Sequence, residues 1–182
     1  SVSIANSAKQ KIQGNRMEGV KKAERQGLRV EKTTNFSSFW NEILIPNLAE
    51  RHGAKPVHTV EEIELLTARF PKHIAQFNVL HHEKIVAGAT MFVTKNVAHV
   101  QYISANADKQ QLGSLDFLFE QLITKTYADK KYFDFGVSNE NQGKNINEGL
   151  HYWKECFGGR STVQEFYEID TAKHGALDAI FI

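Results

Sequence analysis

A chain of 182 residues is long enough for one domain with a sizeable core and too short for two ordinary ones. With 41% hydrophobic and 24% charged residues it has the balance of a soluble globular protein, and a net charge of +1 excludes a global electrostatic argument for nucleic acid or an acidic surface. Its single cysteine, Cys156, excludes an internal disulfide and a multi-cysteine zinc site. Three positions after Trp153, it reads as a buried inert thiol. A reducing cytoplasm is the simplest home, and no run approaches the ~20 apolar residues that span a bilayer. The opening Ser1-Val2-Ser3 lacks an initiator methionine, which points to a fragment with an N-terminal part missing.

From Ser7 to Gln26 the chain is polar and basic, with Lys9, Lys11, Arg16, Lys21, Lys22 and Arg25 against Glu18 and Glu24, and Gly27 is a helix stop. Residues 1–27 read either as a solvated helix or linker or as an electropositive face for a phosphate-bearing substrate or an RNA end. A single domain is expected over 28–170 and a tail over 171–182. Leu28-Arg29-Val30-Glu31 starts the first strand. Phe36, Phe39, Trp40, Ile43, Leu44 and Leu48 then repeat with helical period, and Pro46 inside that pattern should bend or divide the helix near Leu44. Thr59-Val60-Glu61-Glu62 is a capping box opening a helix whose Ile63, Leu66 and Phe70 should face inward.

Three β-rich runs follow, Ile74 to Leu80, Ile85 to Thr94 and Val97 to Ser104, joined by short turns that favour an antiparallel meander. In the third, Ala98, Val100 and Tyr102 alternate with His99 and Gln101. Adjacent His81 and His82 lack a carboxylate at ligand spacing, and no metal is expected. Gln110, Gln111, Leu112, Gly113 and Ser114 then lead into a strong helix carrying Leu115, Leu118, Phe119, Leu122 and Ile123 on one face. A strand end, a glycine loop and a helix N-terminus can hold an anion, although Gly113-Ser114 equally serves as a plain helix start.

Lys131 to Gly159 reads as a short strand ending at Gly136, a loop rich in Asn, Gln and Gly, and a helix with Leu150, Trp153 and Phe157 on one stripe and Asn147, His151 and Lys154 on another. The strand should lie parallel to Val97–Ser104 through a right-handed crossover. Thr162 to Ile169 alternates as a final strand would, and the tail ends in an apolar Ile180-Phe181-Ile182.

Phe133-Asp134-Phe135-Gly136, Ser138-Asn139, Asn147-x-Gly149-Leu150 and Lys154-x-x-Phe157-Gly158 together resemble the C-terminal signature of FemAB-like acyltransferases, a branch of the GNAT superfamily. Arg16, Lys21, Lys22, Ala23, Glu24 and Gly27 resemble the basic segment before the second GNAT-like lobe of such proteins. The resemblance implies an α/β (α+β) fold, with a mixed, mostly antiparallel central sheet and helices on both faces. Two neighbouring strands splay apart there, and the acyl donor lies in the gap. It implies an N-acyltransferase that moves an acyl group from acetyl-CoA or another acyl-CoA to a small-molecule amine acceptor, a nucleotide-sugar or peptidoglycan precursor of the cell envelope. Aminoacyl-tRNA is the alternative donor, and a non-catalytic lobe partnered by a missing N-terminal GNAT-like half is a third reading.

On the same resemblance, Gln110, Gln111, Gly113 and Ser114 stand where GNAT enzymes hold a pyrophosphate, with one of the motif's two glycines absent. Lys154 matches a lysine associated with the acyl donor or its developing negative charge. Asp134, at a strand end, can orient a substrate, fix the loop or, with a pKa raised by Phe133 and Phe135, act as a base. Asn139, Glu140 and Asn147 can read polar groups of the acceptor, with His151 and Tyr152 as lesser candidates for proton traffic.

Overall fold

The computed structural model describes residues 1–5, 11–141, 143–165 and 167–172, without the side chain of His52. Lys9 and the closing Ile180-Phe181-Ile182 lie outside the described residues. A seven-stranded sheet has the order β2-β3-β4-β5-β6-β1-β9. Its strands are β1 (Val2–Ala5), β2 (Arg29–Thr33), β3 (Ile74–His81), β4 (Lys84–Val93), β5 (Val97–Ala105), β6 (Tyr132–Asp134) and β9 (Arg160–Ser161). Every pairing is antiparallel except that of β5 with β6. A separate hairpin joins β7 (Asn139–Glu140) to β8 (Asn145–Ile146). The fold is thus α/β with a mostly antiparallel sheet, as expected.

Residue parity along the strands sorts the apolar side chains into two cores. Ala75, Phe77 and Val79 of β3 and Ala87, Ala89 and Met91 of β4 face one side, where they meet α1 (Gly14–Arg25) and α6 (Ser114–Gln121) through Val20, Ala23, Phe117 and Leu118. Ile74 and Phe92 face the other side, with Phe36 at the N-cap of α2 (Ser37–Phe39), Phe39 of α2, and Trp40, Ile43 and Leu44 of the π-helical turn Trp40–Leu44. Strict alternation would place Val100 and Tyr102 together, yet Val100 joins the first core and Tyr102 the second. The register between β4 and β5 pairs Thr90 with Tyr102 but Met91 with Val100, so Gln101 is an extra residue, a β-bulge that flips the strand's faces.

The π-helical turn passes directly into α3 (Ile45–His52), with Pro46 in its first turn. A proline lacks the N–H and crowds the carbonyl four residues back, which widens the turn before it, as the sequence leads one to expect. In α4 (Val60–Arg69) the Thr59–Glu62 capping box is formed and Ile63 is buried, but Phe70 is 51% exposed and does not face inward. No helix among the described residues is long and apolar enough to cross a membrane.

Two expectations are corrected. The basic segment expected as a helix or linker holds the helix α1, and among the described residues before Gly27, Val2 and Ile4 of β1 and Val20 and Ala23 of α1 are buried in the main core and so are no free linker. The described residues of Thr162 to Ile169 form no strand. Val163, Tyr167 and Ile169 are all exposed, and alternation without a face to bury has nothing to hold it in the sheet. That side of β6 is filled by β1, with Ser3 opposite Asp134 and Ile4 opposite Phe133, and the strand at the edge is Arg160–Ser161.

Candidate active site at the parting of two strands

β5 and β6 run in parallel only from Val97–Tyr132 to His99–Asp134. β6 then stops while β5 continues to Ala105, because Gly136 at φ 72° turns the chain out of the sheet. The gap between them is a hollow of about 450 Å³ with an apolar floor of Phe119, Phe135 and Trp153 and a polar wall of His99, Asp134 and Lys154.

The vertex of the gap is an interlocked polar cluster. Asp134 Oδ2 lies 2.7 Å from His99 Nδ1, and Asp134 Oδ1 accepts from Ser1 Oγ (2.6 Å) and from the Gly136 backbone N–H (3.0 Å). Burial pushes the carboxyl pKa up, but the hydrogen bonds from His99, Ser1 and the Gly136 N–H outweigh it and bring Asp134 down to about 2. An ionised Asp134 only accepts, so His99 Nδ1–H is the donor and Nε2 is left as the basic nitrogen.

Lys154 belongs to α7 (Glu148–Glu155) and is only 4% exposed. Its Nζ donates to the carbonyls of Val137 (2.6 Å) and Gly136 (3.2 Å), the two residues that follow the strand end. Burial lowers its pKa to about 8, and the nearby Asp134 charge opposes that shift only in part. An ammonium has three N–H groups, so one remains for an oxygen in the hollow.

A second hollow, of about 570 Å³, opens beside the first, and Ile103, Leu150 and Trp153 line both. It lies between the end of β5, α3, α7 and the short α5 (Lys109–Leu112). Trp153 Nε1 donates to Asp116 Oδ1 (3.2 Å), which also pairs with Arg16 Nη1 (3.0 Å), so one carboxylate ties α1, α6 and α7 together.

No family model and no curated protein matches the chain. Solved structures do. FemX superposes with a TM-score of 0.67 at 11% identity, over 87% of this chain and 58% of that one. The C-terminal domain (DUF2156) assigned to a lysylphosphatidylglycerol synthetase of Agrobacterium fabrum does so with a TM-score of 0.60 at 16% identity, over 87% and 55%. The fold is FemAB/GNAT-like. This chain spans little more than half the length of either protein. It aligns instead with 97% of an aminoglycoside acetyltransferase from an uncultured soil metagenomic sample, at a TM-score of 0.53 and 16% identity over 79% of this chain.

Within this FemAB/GNAT-like frame the expected site residues divide. Lys154 and Asp134 come together in the first hollow. The pKa of Asp134 is lowered, not raised as a base would need: its hydrogen bonds from His99, Ser1 and the Gly136 N–H outweigh the burial beside Phe133 and Phe135, and its oxygens hold the loop N–H and the imidazole. Of the expected donor residues only Gln110 lines a hollow. Gln111 is exposed, and its carbonyl accepts from Gln26 of α1. Gly113 and Ser114 are buried under α1, so close that a Cβ on Gly113 would lie 2.2 Å from the Gly19 carbonyl oxygen.

Among the expected acceptor residues, Asn147 caps α7 by accepting from the Leu150 N–H and donates to Glu140, which spends its polar groups on structure. Asn139 and Glu140 form the outlying hairpin, His151 pairs with Glu155 and Ser161, and Tyr152 is exposed; none of these four lines either hollow. Sequence reasoning missed His99. A histidine on the strand parallel to an aspartate-bearing strand end is the only signal, and it acquires meaning once the register places the two opposite each other.

Proposed function

We propose that this domain is an acyl-group transferase acting in the gap between β5 and β6, with an aminoacyl ester as donor and an amine as acceptor. The observation that carries this reading is the buried Lys154 ammonium in the wall of a hollow that exists because two paired strands separate. The acceptor nitrogen attacks the ester carbonyl carbon, and the negative charge that develops on the carbonyl oxygen is met by the third N–H of Lys154. The proton shed by the nitrogen passes to His99 Nε2. As the C–N bond is completed and the C–O bond breaks, that proton goes to the departing oxygen. Asp134 holds the imidazole in the tautomer this requires.

The burial of Gly113 and Ser114 under α1 argues for an ester donor over a coenzyme A thioester, whose pyrophosphate would need that turn. FemX and a lysylphosphatidylglycerol synthetase being similar in fold supports the same choice. A coenzyme A donor is the second reading, supported by the alignment with nearly all of an acetyltransferase and by Gln110 in the groove. Thermal unfolding separates the two, since a ligand that binds only the folded state raises the midpoint. Stabilisation by a charged-tRNA mimic and not by acetyl-CoA is expected, and the reverse result overturns the ester reading. Lys154→Ala should lower turnover by about 10²–10³-fold, the usual loss for one oxyanion donor. Unchanged turnover removes Lys154 from the mechanism.

A further inference from the structure

The two hollows are parted by side chains that the transfer chemistry leaves unused. Ile103, Leu150 and Trp153 line both of them, and Trp153 is the largest of the three, so its indole is the bulkiest part of the wall between the gap at β6 and the space beside α3 and α5. That ring is firmly held. It meets Phe119 and Phe157 edge-on at 5.0 Å and Phe135 at 6.0 Å. Its Nε1 donates to Asp116 Oδ1, the carboxylate that Arg16 pairs with from α1. Phe119 and Phe157 are fully buried, so the rings behind Trp153 have no room to retreat. A fixed aromatic ring therefore sets how far the first hollow extends on its apolar side.

Lys154 is the next residue of α7, and both side chains line the first hollow. With its carbonyl oxygen on the polar wall at Lys154, a bound acyl group has its chain on the apolar side, where the indole stands. The 450 Å³ must also take the end of the carrier and the acceptor amine. We propose that Trp153 is a specificity-determining residue that limits the transferred acyl group to a short aliphatic chain by closing the first hollow against the second. The proposal rests on the transferase reading above but not on which carrier bears the acyl group. A longer or branched chain would have to displace a ring held by three aromatic neighbours and a hydrogen bond, and a close-packed wall resists such overpacking.

The test is calorimetric titration of the whole chain with hydrolysis-resistant amide analogues of the donor. One series has an aminoadenosine carrier and one an aminopantetheine carrier, each bearing alanyl, leucyl or phenylalanyl groups. On the carrier that binds, the alanyl analogue should bind at least ~10-fold tighter than the other two, the discrimination that a few misfitting methylenes produce in a closed pocket. In Trp153→Ala, which joins the two hollows, that preference should disappear while the alanyl analogue still binds. A merely structural role for Trp153 would weaken all three analogues alike and leave their ratio unchanged. If circular dichroism shows Trp153→Ala unfolded, Trp153→Phe keeps a ring against Phe119 and Phe157 and should reduce the preference by a smaller factor. Equal binding of the three analogues to the unaltered protein, or an unchanged preference in the folded variant, overturns the proposal and leaves the transferase reading in place. Binding of no analogue on either carrier overturns both.

Discussion

Asp134 and Lys154 stand in one wall of the same hollow, and burial acts on both, yet their charges end differently. The carboxylate has three donors around it and falls to about 2; the ammonium has only carbonyl oxygens and one carboxylate's field, and burial takes it down to about 8. The folded-state pKa of Asp134 is below its ordinary value of 3.8, so the stability it contributes is present above about pH 4 and is lost as pH falls toward 2. The loss should be about 2 kcal/mol. Asp134→Asn should remove that acid limb, which denaturant titrations between pH 2 and pH 5 would show; an identical limb in the variant would mean that other carboxylates produce it. For Lys154 the charged form is half populated near pH 8 and predominates below it, so transfer that depends on its ammonium should decline as pH rises through that value. A pH–rate profile flat from 7 to 9.5 would deny the ammonium that part. Both residues stand out in the sequence; their electrostatics do not, because the donors Ser1 and His99 lie 133 and 35 positions away from Asp134.

Among the elements, those whose signals are local match their sequence. The hairpins β3–β4–β5, the capped α4 and the interrupted helix at Pro46 depend on turn lengths, a side-chain cap and a missing N–H within a few residues. The β-bulge at Gln101 and the docking of α1 depend on partners and are not visible locally. The contact of α1 with α6 rests on two glycines: Gly19 faces Asp116, and Gly113, at φ 68°, faces the Gly19 carbonyl. Gly113→Ala adds a methyl group where backbone already stands, in a conformation that L-residues resist. It should cost more than ~2 kcal/mol and loosen α1, raising hydrogen exchange at Val20 and Ala23. A cost within ~0.5 kcal/mol would mean that the two helices do not approach so closely in solution.

For the whole molecule, β1 is the first described element and lies between β6 and β9, where it closes the sheet beside the hollow. Ile4 is fully buried, so Ile4→Ala should cost ~2–5 kcal/mol, whereas a change in an unattached leader would cost nothing. Urea unfolding followed by tryptophan fluorescence would check this. Turn chemistry and hydrophobic period were enough to determine the β3–β4–β5 meander and most of the helices, and they marked the stretch from Asp134 to Lys154 that lines the hollow, because each is written within about twenty residues. What only the tertiary structure decided was which strand sits beside β6, that α1 covers the glycine turn, and that His99 meets Asp134. Those outcomes depend on surfaces brought together from distant parts of the chain, and no local pattern encodes which of several apolar or polar partners packs best.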